Sequence, residues 1–190
     1  MSIHLIVGLG NPGLKYEGTR HNVGKHFVQM LAQEWSLSWK EESKFEGFYT
    51  ISDRMDHKVV LYHSNQYMNQ NGSGLAKIAR FFKVPVTQML VVHDELDFPV
   101  AKIRFKSGGG HGGHNGLRDC IKHLGGSGFT RLRLGIDHPG QAHLVSRYVL
   151  KTLPKEEAIS IESAWQPYLH SMKQVVTETL EHSMNRLHSQ

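Results

Sequence analysis

One cysteine, Cys120, stands in 190 residues, which excludes an internal disulfide and any zinc cluster built on cysteines. No apolar run approaches the roughly 20 residues that span a bilayer. The opening Met1-Ser2-Ile3-His4 has neither the basic end nor the apolar stretch of a secretory signal. Linkers, internal repeats and low-complexity tails are missing too. These absences together imply a soluble protein of a reducing compartment, the cytoplasm, with no membrane partner. What is present is globular in composition, 39% hydrophobic and 21% charged, which argues against disorder. The length suits one domain, so 1–190 reads as a single unit.

Acids are the minority charge, 17 against 22 Lys and Arg, for a net +5. The excess sits in one stretch. From Lys102 to Arg133 there are seven cations (Lys102, Arg104, Lys106, Arg118, Lys122, Arg131, Arg133) and one acid, Asp119. Such a window suits a polyanion, nucleic acid first among them. A solvated face that aids solubility explains it equally well. The same region holds nine glycines between Gly108 and Gly128, which reads as a working loop between patterned segments.

Ile3–Gly8 is a short buried-strand run that ends in the turn Gly10-Asn11-Pro12-Gly13. A helix follows from near Asn22, with Val23, Phe27, Met30, Leu31 and Trp35 at helical spacing. Phe45–Ile51 and Lys58–His63 read as strands, and Leu75, Ile78, Ala79 and Phe82 mark a second helix. Met89–Val92 is a continuous apolar run, the pattern of a central strand covered on both faces. Ala101–Phe105 alternates with Lys102, Arg104 and Lys106, and Thr130–Ile136 alternates with Arg131 and Arg133. Between them Leu117, Cys120, Ile121 and Leu124 suggest a short helix with Cys120 in its core face. A long C-terminal helix spans Ala158 to Leu180, and Pro167 should kink it or divide it in two. Interleaved strands and helices make an α/β domain with a mixed, largely covered sheet.

Gly8-Leu9-Gly10-Asn11-Pro12-Gly13 fits the spacing G-x-G-x-x-G of a dinucleotide cradle. In that motif the helix opens within the glycines, whereas here Pro12 stiffens the turn and Leu14 to His21 show no helical stripe. A nucleotide cofactor is therefore disfavoured. What remains is a rigid turn displaying Asn11 and a loop displaying Tyr16, Arg20 and His21. A loop histidine just before Asn22, a candidate helix N-cap, is placed for proton chemistry. Asp94 ends the Met89–Val92 run, at the strand end where open α/β sheets bind ligands. A carboxylate beside an imidazole fixes its tautomer and stabilises the imidazolium, so His21 and Asp94 together would make a general base. Asn69 in Tyr67-Met68-Asn69 and Asn115 in His114-Asn115-Gly116 add uncharged amides that hold a carbonyl or a water. Any one of these asparagines could equally be an ordinary cap or turn. Tyr16 and Tyr67 could stack on a base or lie at the core edge. His111 and His114 sit on the glycine loop with no carboxylate near them in sequence, which leaves zinc unsupported. Neither a serine-nucleophile elbow nor a phosphate-cradling lysine loop occurs. A hydrolytic site and a non-catalytic RNA-binding module both fit these residues.

Taken in order, Gly8–Gly13, Tyr16, Thr19–Asn22, Tyr67–Asn69, His93–Asp97, Gly108–Leu117 and Arg131–Ile136 closely resemble the bacterial peptidyl-tRNA hydrolases over nearly the whole chain. The resemblance implies a monomeric three-layer α/β/α domain with a mixed, twisted central sheet and no metal or cofactor. It implies an esterase that cuts the bond between a peptide and the 3′-terminal ribose of tRNA, with peptidyl-tRNA as partner. By the same likeness His21 is the general base, Asp94 its support, and Asn11 the residue that tells blocked from free aminoacyl groups. Tyr16, Tyr67, Asn69 and Asn115 match positions that bind the tRNA end or the peptide, Asn115 also holding the attacking water. Lys106 and Arg133 match a clamp on the 5′-phosphate. The chain departs from the pattern at Asn71, where serine is usual, and at Asp137, where glycine is usual.

Overall fold

The structure is a computed structural model that describes residues 2–188. The apolar run near the start of the chain forms β1 (Leu5–Gly8), every residue of which is buried. Six more strands follow: β2 (Lys40–Glu42), β3 (Gly47–Ser52), β4 (Val59–Ser64), β5 (Met89–Glu95), β6 (Ile103–Ser107) and β7 (Thr130–Gly135). They form one mixed sheet in the order β2-β3-β4-β1-β5-β7-β6. β1 lies parallel to β4 and β5, and β5 parallel to β7, while β2, β3 and β6 pair antiparallel. The carboxyl ends of β1, β4, β5 and β7 thus share one edge, the edge at which such sheets bind ligands.

The helices are α1 (Val23–Glu34), α2 (Asn71–Phe81), α3 (Asn115–Leu124), α4 (Val145–Val149), α5 (Lys155–Thr177) and α6 (Leu180–His188). Phe27 and Leu31 of α1 and Trp165, Leu169 and Met172 of α5 share a core with Leu90, Val92 and Leu132 on one sheet face. Leu75 and Ile78 of α2 and Leu117 and Cys120 of α3 share another with Val7 and Val91 on the opposite face. Alternate residues of each strand serve the two cores, which gives the three-layer α/β/α arrangement. No helix among the described residues is long and apolar enough to cross a membrane.

Two close approaches set the functional edge. Gly24, in the first turn of α1, lies so near β5 that a Cβ there would be driven into the Val92 carbonyl oxygen. Gly8 faces that same turn, and a Cβ on it would stand 2.6 Å from the Gly24 carbonyl. The start of α1 therefore sits directly on the ends of β1 and β5.

The structure departs from the sequence reading in particular places. Phe45 belongs not to a strand but to a 3-10 turn, Ser43–Phe45, followed by Glu46 in the left-handed region at φ 53°. β3 accordingly starts at Gly47. β2 and α4, three and five residues long, are too short for periodicity to reveal. Asn22 precedes α1 but makes no side-chain cap; its amide is engaged by the backbone of Asn11. Pro167 does not divide the last helix, for α5 runs through it and the chain breaks at Glu178–Thr179. Pro167 and Ser163 are exposed, so the carbonyl left without a donor faces water, and buried Trp165, Tyr168 and Leu169 hold both flanks to the core.

Pro167→Ala should therefore raise stability by about 1–3 kcal/mol, the interior cost of proline being up to about 3. Gly24→Ala, which adds up to about 1 kcal/mol to an exposed helix, should here cost about 1–3 kcal/mol through overpacking. Urea midpoints decide both; a Gly24→Ala protein more stable than its parent would refute the close approach of α1 to β5.

Candidate active site

All nine residues singled out from sequence line one cavity of about 770 Å³: Asn11, Tyr16, His21, Tyr67, Asn69, Asp94, Lys106, Asn115 and Arg133. It opens at the carboxyl edge of the parallel strands. Asn11 follows β1, Tyr67 and Asn69 follow β4, Asp94 lies near the end of β5, and His21 occupies the 3-10 turn Arg20–Asn22 that leads into α1.

Asp94 is 3% exposed and carries two imidazoles. His21 Nδ1 lies 2.8 Å from its Oδ2, and His114 Nε2 lies 2.7 Å from its Oδ1. The His114 tautomer follows from its other nitrogen, since Nδ1 accepts from the backbone N–H groups of Gly116 and Leu117 at 3.1 and 3.2 Å. His114 thus caps α3 and donates its Nε2 proton to Asp94. With the carboxylate as acceptor, neutral His21 carries its proton on Nδ1 and keeps a lone pair on Nε2, which has no protein partner among the described residues. The two rings stand 4.9 Å apart, centroid to centroid.

Charge and burial oppose each other here. Burial alone would lower the His21 pKa, but the Asp94 charge and hydrogen bond outweigh it and hold the ring above its usual 6.5. Burial would raise Asp94, yet the two imidazoles and their hydrogen bonds hold it well below the carboxylate range. His93 differs. Burial, with the neighbouring His114 ring and Arg131 guanidinium, pushes its pKa down to about 3, and its Nδ1 donates to the Asp94 carbonyl at 2.7 Å. His93 is a neutral wall of the site.

Asn11 is 5% exposed and held at every backbone atom that could turn it. Its N–H donates to Asn22 Oδ1 at 2.8 Å, its carbonyl accepts from Asn22 Nδ2 at 2.9 Å, and its Oδ1 accepts from the Met68 N–H at 2.8 Å. Only Nδ2 is left for the cavity. Asn71 staples the same turn from below, donating to the carbonyls of Gly10, Gln66 and Tyr67 at 3.1, 3.1 and 2.8 Å. This departure from the family pattern thus has a structural task. Asn69 and Asn115 are exposed, with Asn115 Oδ1 accepting from Arg118 Nη1 at 3.2 Å. Tyr16 and Tyr67 meet edge to face at 6.2 Å, and Tyr67 is 55% exposed.

The basic window is less uniform than its sequence suggests. Arg131 is 3% exposed and holds the glycine loop, donating to the carbonyls of Gly109 and Gly110. Arg133 Nε pairs with Glu95 Oε2 at 2.8 Å, its guanidinium 4.2 Å from the Phe98 ring centre. Lys106 is exposed and carries no ion pair among the described residues. Asp137 lies in the left-handed region at φ 65°, the position at which the resemblance leads one to expect glycine.

Sequence reasoning missed His114, Asn22, Glu95 and the buried task of Arg131. It also placed no carboxylate near His114, whereas Asp94 is bonded to it; the contact joins residues 20 apart and leaves no local signal. The ligating atoms of His21, Asp94 and His114 lie within 4.8 Å of one another, so a cation is worth testing against them. His114 and His21 stand 2.7 and 2.8 Å from the two different Asp94 oxygens, whereas ligands of one tetrahedral zinc stand about 3.3 Å apart. As placed, the three form a hydrogen-bond chain.

A family model described as peptidyl-tRNA hydrolase matches residues 5–190. A peptidyl-tRNA hydrolase of Saccharophagus degradans is 48% identical over 188 residues, 98% of this chain and 95% of the relative. One from Coxiella burnetii is 45% identical over 187 residues, 98% of each. The crystal structure of peptidyl-tRNA hydrolase from Acinetobacter baumannii superposes with a TM-score of 0.93 at 41% identity, covering 97% of this chain and 94% of that one.

The opposed effects on His21 can be separated by NMR titration of its ring. In the parent the midpoint should lie above 6.5, and in Asp94→Asn it should fall below 6.5, because burial then acts alone. An unchanged midpoint would show that Asp94 does not govern His21.

Proposed function

The chain belongs to the peptidyl-tRNA hydrolase family, and from that membership we propose how its cavity works on peptidyl-tRNA. Water attacks the ester carbonyl directly. His21 Nε2 takes a proton from that water as its oxygen bonds to carbon, and Asp94 stabilises the imidazolium. The tetrahedral centre then collapses, the bond to the ribose oxygen breaks, and the imidazolium returns its proton to that oxygen. Free tRNA and free peptide are the products of one water and one ester.

What carries this reading is the buried pairing of His21 with Asp94 on the wall of a cavity large enough for the tRNA end and the peptide terminus. Nδ2 of Asn11 and the amides of Asn69 and Asn115 supply donors for the developing oxyanion and for placing the water. His114 acts through Asp94, fixing the carboxylate so that Oδ2 points at His21. Tyr16 and Tyr67 at the rim offer ring faces to a base. Lys106 and Arg133 contact phosphate, which holds the tRNA without reading its sequence.

Because the base works unprotonated, kcat/KM should rise with pH through a midpoint above 6.5. In single-turnover cleavage of a peptidyl-tRNA analogue, His21→Ala should lose about 10²–10⁴-fold, the usual weight of general base catalysis. Near-parental cleavage by His21→Ala would end the proposal. For the RNA face, Lys106→Ala should flatten the salt dependence of binding by about one phosphate contact. Glu95→Gln, which frees Arg133, should tighten binding of tRNA that carries its 5′-phosphate. If Glu95→Gln tightens 5′-dephosphorylated tRNA equally, Arg133 is not the clamp.

A further inference from the structure

Arg20 opens the turn that carries His21, in a basic protein, in a loop whose sequence displays it as though for a ligand. The structure buries it instead, at 5% exposure. Its Nη2 lies 2.7 Å from Glu157 Oε2 in the first turn of α5. Its guanidinium carbon stands 4.3 Å from the centre of the Tyr148 ring in α4. Nε is buried with no hydrogen-bond partner, so the ring face is what it meets there. The main chain repeats the attachment. Arg20 N–H donates to the Lys151 carbonyl at 3.2 Å, Leu153 N–H to the Gly18 carbonyl at 2.9 Å, and Thr19 forms an isolated bridge with Thr152. Tyr148 itself is fixed, its hydroxyl donating to the Ile136 carbonyl at 2.6 Å.

The segment on the far side of these contacts is not idle. Ala142, Val145, Val149 and Leu150 form an apolar wall of the same cavity that holds His21. Asp94 fixes the imidazole end of His21, but nothing in that bond fixes the backbone from which the ring projects. A guanidinium gripped at once by α5, by the wall and by its own main chain does so. We propose that Arg20 is a positioning residue that locks the apolar wall to the turn carrying His21, so that the wall and the base keep one fixed geometry. The fork shape of arginine matters, because one edge meets the carboxylate while the planar face covers the ring; lysine can do the first and not the second. The proposal rests on His21 acting as base, and it predicts that loss of Arg20 lowers turnover while leaving RNA affinity alone.

The test compares Arg20→Gln, Arg20→Lys and Glu157→Gln with the parent on peptidyl-tRNA at several salt concentrations. Arg20→Gln should lose about tenfold or more in kcat with KM and its salt dependence unchanged. Glu157→Gln should lose severalfold, and the double variant should be no worse than Arg20→Gln alone. Arg20→Lys should recover only part of the loss. A loss confined to KM with a flatter salt dependence would make Arg20 a phosphate contact and overturn the proposal, as would parental kcat in Arg20→Gln. Should Arg20→Gln fail to fold, Arg20→Lys and Glu157→Gln decide, and parental kcat in both overturns it. The His21 ring resonance, read without substrate, separates this from the catalytic reading. It should shift in Glu157→Gln, although that residue does not touch the ring. An unmoved resonance overturns the lock even if His21→Ala is inactive, and an active His21→Ala removes the base even if the resonance moves.

Discussion

A carboxylate 3% exposed in the middle of the molecule can stay charged only if something replaces its water. At Asp94 two imidazole N–H groups do so, one on each oxygen. Removing a partner from such a buried charge is expensive, so both rings must arrive together and at the right angle. His21 arrives because Gly24 lets α1 start against the Val92 carbonyl and Gly8 lets β1 tolerate that turn. His114 arrives because its other nitrogen caps α3. The glycine loop before it is tied down by Arg131. The placement of one acid thus constrains two helix starts and a loop.

Much of this architecture is legible along the chain because it follows from local pattern. The run Met89–Val92, apolar on both faces, does become the central strand β5 between β1 and β7. The alternation of Leu132 and Leu134 with Arg131 and Arg133 does become β7. Pattern fails where structure is short or where tertiary contacts override propensity. β2 has three residues and no apolar side chain. Pro167 is tolerated because its flanks are buried and its own face is wet. Within the site, residue types were legible and their partners were not. Asn22 reads as a cap, and nothing local reveals that its amide holds Asn11 instead. Arg131 and Arg133 read as one basic face, yet one anchors a loop from within and the other is paired with Glu95.

On the proposed reading, that pairing bears on how the protein would hold RNA. A cation already matched to a carboxylate meets phosphate only by exchanging one partner for another, so it adds selectivity more than raw attraction. Lys106, unpaired and exposed, adds attraction that salt screens readily. The two side chains sit on adjacent strands, β6 and β7, whose antiparallel register places Lys106 opposite Arg131 and Arg104 opposite Arg133. Lys106 and Arg133 are therefore diagonal neighbours, one strand over and two residues along.

In the proposed mechanism, the choice of water as nucleophile follows from what His21 touches. Its Nδ1 is committed to Asp94, and its Nε2 meets no serine or cysteine among the described residues. Cys120 lies in the core beneath α3, and burial pushes its thiol well above the usual range. A side-chain nucleophile would need to sit where Nε2 now faces open cavity. Asp94 raises the basicity of that nitrogen, which strengthens proton abstraction but leaves a larger share of the enzyme protonated near neutrality. In that mechanism the same elevation favours the imidazolium that returns its proton to the departing ribose. A ring that must both take and give a proton within one reaction is best poised near the working pH. At His21 burial and Asp94 pull in opposite directions, and Asp94 prevails.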